Sequence, residues 1–146
     1  MEATQVNQFL ASEDQVRVHI RLLHRIAHLD GEFSEGERQF LERIVSIYSA
    51  LFPNLDVSAL ESCDDEEMME LLECLEGRTS KMILLQDLVG MAFADGEMHD
   101  AEKEFLFDVA DQMSLSAETV EDLIALNEEV LDANKRLSEF IYCNEL

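Results

Sequence analysis

Residues 24–44 read HRIAHLDGEFSEGERQFLERI, and residues 89–109 read VGMAFADGEMHDAEKEFLFDV. Superimposed at an offset of 65, the two stretches share Ala27/Ala92, Asp30/Asp95, Gly31/Gly96, Glu32/Glu97, Glu37/Glu102, Phe40/Phe105 and Leu41/Leu106. Such a repeat decides the fold before any single element does, because each copy is one supersecondary unit. Apolar residues recur every three or four positions on both sides of the Asp-Gly pair, so each copy predicts a helix, a tight turn and a second helix. Two such hairpins can pack about an approximate two-fold axis, with their acidic turns placed equivalently.

Outward from the repeat, the same periodicity continues. Val16, Ile20, Leu23 and Ala27 line one stripe of a helix over about 13–29, and Phe40, Ile44, Ile47 and Leu51 line another over 35–51, ended by Pro53. Ser58-Ala59-Leu60-Glu61 reads as a small capping box, and Asp64 as the cap of a helix over about 65–76. Further helices are predicted over about 80–94 and 100–112. Ser116 caps a last long one, in which Val120, Leu123, Ile124, Leu126 and Leu131 are apolar. No segment alternates with period two, and there are only 1 Pro and 5 Gly. The expectation is an all-α helical bundle, one domain over residues 1–146, with repeat units at about 15–52 and 80–131.

Ten Lys and Arg stand against 33 Asp and Glu, a formal charge of −23. Binding nucleic acid through its phosphates requires the opposite balance, as does docking on anionic lipid. Basic protein partners and cations are compatible with it. The N-terminal Met1-Glu2-Ala3-Thr4-Gln5 has neither a basic start nor an apolar run, and no apolar stretch approaches the roughly 20 residues of a membrane span. Cys63, Cys74 and Cys143 are odd in number and form no CxxC pair, so they read as small apolar residues in or near the core of a cytoplasmic protein.

The chemistry concentrates in the two turns. Asp30 follows Ile26 and Ala27 by one helical turn, and Glu37 precedes Phe40 and Leu41 by one, so both carboxylates lie on inward sides. Asp95 and Glu102 repeat this against Met91, Ala92, Phe105 and Leu106. Half-buried carboxylates require compensation. One reading is local: Ser34 and Glu37 form a capping box, and Gly31 and Gly96 are left-handed helix stops. It accounts less well for the second copy, where His99 stands at the cap. The other reading is a metal. Asp-Gly-x-apolar-x-x-x-Glu matches the second half of an EF-hand loop, but its two earlier ligand positions are Ile26 and His28, or Met91 and Phe93. A complete EF-hand is therefore rejected. What remains is an incomplete hard-oxygen site of Asp30, Glu37, Asp95 and Glu102, with Glu32 and Glu97 contributing. Calcium or magnesium suits it better than zinc.

The twice-repeated Ala-x-x-Asp-Gly-Glu…Glu pattern, Ala27 to Glu32 with Glu37 and Ala92 to Glu97 with Glu102, resembles the TerB-like family of tellurite-resistance proteins. The resemblance covers about residues 15–130 in layout. It implies an all-helical bacterial domain, acidic residues that bind a metal, and a link to tellurite and other stress responses. No catalytic residues come with it. The chain departs from the pattern at Gly36, inside the first turn of a helix, and at His99.

Elsewhere, His24 and His28 have the i, i+4 spacing of zinc ligands but share their helix with Arg17, Arg21 and Arg25, and so read as part of a basic face. His19 falls within the apolar stripe and is expected to be a hydrogen-bonded core residue. Residues 61–76 carry eight carboxylates, a solvated face or, as the alternative function, a metal-independent docking face for a basic partner. The three arginines are expected to pair with these acids within the domain or across a homodimer. A partner protein, basic or membrane-associated, is expected. The chain has no Gly-rich phosphate loop, G-x-S-x-G or HExxH, so a non-catalytic role is predicted.

Overall fold

A computed structural model describes residues 13–29, 31, 33–56 and 60–143. Among the described residues lie six helices: α1 (Glu13–Ala27), α2 (Glu35–Leu51), α3 (Asp65–Glu73), α4 (Gly77–Ala92), α5 (Asp100–Gln112) and α6 (Ala117–Cys143). None of these residues forms a strand, so the domain is all-helical, as the periodicity predicts. No helix among them is long and apolar enough to cross a membrane.

Local chemistry sets the helix ends. The Ser34 hydroxyl accepts the Glu37 N–H at 3.1 Å, while a Glu37 carboxylate oxygen accepts the Ser34 N–H at 3.0 Å. Asp64 and Glu67 form the same reciprocal pair at the start of α3. That helix stops at Glu73, earlier than predicted, because the Cys74 and Leu75 N–H groups turn back onto Leu71 and Leu72. The chain is helical again from Gly77. Residues 58 and 59 of the small capping box lie outside the described residues, and Leu60 and Glu61 are not helical.

The core centres on α1 and α4. Val16, Val18, Ile20, Leu22, Leu23 and Ala27 have no exposed surface, and neither do Leu84, Leu85, Leu88, Val89 and Met91. Helix α1 is thus enclosed on more than one side, with α2, α3 and α4 packed around it, and α4 also meets α5 and α6. Each such aliphatic side chain contributes about 1.5–3 kcal/mol on burial. Two cross-contacts tie the halves together. The Phe40 ring of α2 lies so close to Gly90 of α4 that a Cβ there would be 2.8 Å from it. The Arg25 guanidinium of α1 sits over the Phe105 ring of α5, 5.4 Å from its centroid. Positions 25 and 90, like 40 and 105, are separated by the repeat offset.

The last helix differs most from expectation. Val120 and Ile124 are buried, but Leu126 is 57% exposed and Leu131 37% exposed. The helix runs on to Cys143, and every residue from 128 to 143 is exposed. Leu131, two turns after Ile124, still lines a groove against the second turn, whereas Leu126, Val130 and Leu137 lie off the face that meets the bundle.

Candidate carboxylate site at the two turns

Each turn is built by a helix stop followed by a helix start. Gly31 at φ +78° and Gly96 at φ +92° take the left-handed conformation that ends α1 and α4. The following helices, α2 and α5, then place a Glu at their third position. Glu37 is 3% exposed and Glu102 2% exposed. One Glu102 oxygen accepts the His99 N–H at 3.0 Å, as Glu37 does with Ser34. The bond back to the cap backbone therefore forms in both copies. The capping reading thus accounts for this bond in the second copy as in the first, although His99 is not a preferred cap, because the carboxylate needs only the backbone N–H, which any non-proline residue supplies.

That bond uses one oxygen of each Glu. The Glu37 Oε2 atom is buried and has no hydrogen-bond partner among the described residues. The turns themselves adjoin. A Cβ built on Gly36 would lie 2.3 Å from the Ala94 carbonyl oxygen, so only glycine lets the start of α2 seat against the second turn. Gly36, a departure from the family pattern, is thus a contact requirement. Burial pushes the Glu102 carboxyl up to about 7, and the charges of Glu37 and Asp95 push the same way. The His99 N–H bond and the His99 ring oppose this without cancelling it.

Asp95 is partly satisfied nearby. Its Oδ1 accepts the Glu97 N–H at 3.2 Å, and its Oδ2 lies 3.4 Å from His99 Nε2. Glu97 is exposed and lines a separate groove of about 450 Å³ between the second turn and α6, beside Lys103 and Glu128. Asp30 and Glu32 lie outside the described residues. The two turns thus bring Glu37 and Asp95 each within electrostatic reach of Glu102, while Glu97 lines the other groove. Among the described residues, no group of three or more His, Cys, Asp and Glu is close enough to hold a metal ion.

The remaining candidates are accounted for structurally. His19 is fully buried, with Nδ1 2.8 Å from Asp87 Oδ2, and the Tyr48 hydroxyl donates to the same oxygen at 3.2 Å. Burial and the Asp87 charge push the Tyr48 phenol far above its usual value, so it stays a donor. This polar clamp joins α1, α2 and α4. Its histidine was legible in the sequence, whereas Asp87 announced itself only as a lone acid within an apolar helix. His24 and His28 stack, with ring centroids 6.3 Å apart, and His28 Nδ1 lies 2.7 Å from the His24 carbonyl oxygen. Burial and the neighbouring His28 lower the His24 pKa. Arg21 reaches Glu67 and the Glu61 and Ser62 carbonyls, and Arg25 reaches Asp65, so part of the acidic 61–76 stretch is neutralised within the domain. Arg17 pairs instead with Glu13 and Asp14 on its own helix. Of the three thiols only Cys63 is buried. Cys74 and Cys143 are exposed, a correction to the core expectation, because one ends the short α3 and the other rides the projecting end of α6.

Fold and site together define an acidic, all-helical domain in which two adjoining turns each bury a glutamate. No family profile matches this chain, and neither curated proteins nor solved structures give a match.

Proposed function

We propose that the chain is a TerB-like domain built from two duplicated helical hairpins, acting in the bacterial cytoplasm as a non-catalytic, metal-responsive interaction module of the stress-response type. The observation that carries this reading is the Glu37 Oε2 atom, enclosed, without a hydrogen-bond partner and set near a second buried carboxylate. A buried carboxylate oxygen left bare costs stability unless a cation or a proton occupies it. The donors here are carboxylates, which suits calcium or magnesium over softer metals. Glu37 would offer the open oxygen; Glu102 and Asp95 are not grouped with it closely enough to hold an ion as they stand, so binding would draw them in, with Asp30 of the first turn completing the set. Glu32 and Glu97 are the weaker candidates of the original six. A bound divalent ion would supply charge neutralisation, coupling its concentration to the rigidity of the paired turns.

Titration calorimetry on metal-stripped protein tests the proposal. Saturable binding of calcium or magnesium is expected, lost in Glu37→Gln and in Asp30→Asn/Asp95→Asn while the helical circular-dichroism signal persists. No binding heat, or binding undiminished in both variants, would overturn it.

A further inference from the structure

Helix α6 stays against the bundle through Ile124 and Asn127, which is bonded to Gln86 of α4, but from Leu126 on it carries an exposed apolar row on another side. Leu126, Val130 and Leu137 are 57%, 58% and 57% exposed. With Ala133 they fall at alternating spacings of four, three and four residues, a heptad seam. Residues 128–143 extend roughly 24 Å as a helix. On one flank of the row lie Glu129 and Arg136, seven residues apart.

We propose that this projecting helix is a self-association surface, pairing antiparallel with the same helix of a second copy of the chain. The charges select both the occupant and the direction. In the antiparallel register that sets Leu126 against Leu137 of the second copy, Val130 meets Ala133, and each Glu129 approaches Arg136 of the other copy, twice by symmetry. Within its own chain, Arg136 is bonded to Asp132 at 3.1 Å on the exposed side, which leaves other guanidinium nitrogens for a second carboxylate. A parallel pair would form no such ion pairs, because Glu129 and Arg136 would face Asn134 and Ile141. It would also set two bodies of charge −23 side by side at one end, whereas the antiparallel pair holds them at opposite ends. The seam is short beside the roughly 1,200–2,000 Å² of stable interfaces, so association is expected in the micromolar range.

Sedimentation equilibrium of the full chain across about 1–500 μM tests this. The expected result is a rise from one to two protomer masses. Leu126→Glu/Leu137→Glu should hold the chain at one protomer mass, with a thermal midpoint equal to that of the wild type at the lowest concentration, where both are monomers. Glu129→Arg alone and Arg136→Glu alone should each weaken the dimer about tenfold or more, and the double swap should restore it, since the swapped pair meets again only in this register. A chain that stays monomeric throughout, as it would if residues 1–12 or another protein occupied the seam, overturns the proposal. So does a dimer indifferent to the leucine substitutions, a double swap that fails to restore pairing, or ready Cys143–Cys143 crosslinking on mild oxidation.

Discussion

Glu102 shows how one residue serves the helix and strains the core at once. Its bond to the His99 N–H starts α5, yet its carboxyl is enclosed and held up to about 7 by burial, Glu37 and Asp95. The folded value lies above the ordinary glutamate value of 4.5. The folded state therefore binds the proton more tightly than the unfolded chain does. Folding stability from this group is fully present below about pH 4.5, falls as pH rises towards 7, and is lost above that. The difference amounts to roughly 3 kcal/mol. Glutamine keeps an oxygen for the His99 N–H and carries no charge. In chelator, Glu102→Gln should therefore raise the thermal midpoint at pH 8 by several degrees and leave it unchanged near pH 4.5. Equal effects at both pH values, read by melts across the range, would show that ionisation of Glu102 is not what limits stability.

At the scale of the element, α3 is the piece held from outside. It has nine residues, and only Met68 and Leu72 are buried from it. A helix that short is marginal alone. Arg21 and Arg25 of α1 hold it through Glu67 and Asp65, and they also reach the carbonyls of Glu61, Ser62 and Cys63. The Cys63 thiol is buried beneath this strap, and burial raises its pKa. Arg21→Ala/Arg25→Ala should loosen the strap without unfolding the α1–α4 core. Cys63 labelling by a thiol reagent should then quicken about tenfold or more, while Cys74 and Cys143 stay as fast as before. Uniform quickening of all three thiols would mean global unfolding instead. Much of this element was legible: Asp64 as its cap, and the arginines as partners of the acidic stretch. The end of α6 was not. Periodicity marks which residues share a face but not whether a neighbour covers it, and Leu126 reads the same whether buried or exposed. Glu37 and Glu102 were legible as inward-facing from their spacing to Phe40, Leu41, Phe105 and Leu106. That the two turns touch depends on the packing of Gly36 against Ala94, a contact no local pattern encodes.

At the scale of the whole molecule, a charge of −23 on one domain has two effects that must be separated. Self-repulsion destabilises the compact state, and any salt relieves it by screening over a Debye length of about 10 Å at 0.1 M. A cation held between buried carboxylates acts by mass action and is far less sensitive to screening. Sodium chloride should therefore raise the thermal midpoint gradually, by a few degrees between about 20 and 500 mM, in the wild type and in Glu37→Gln alike. Magnesium or calcium at matched ionic strength should add a further rise that saturates, present in the wild type and absent in Glu37→Gln. If divalent and monovalent salts give the same midpoint at equal ionic strength, the acidic surface accounts for all of the response. The fall in stability that ionisation of Glu102 brings between about pH 4.5 and 7 would then be the same with and without divalent ions.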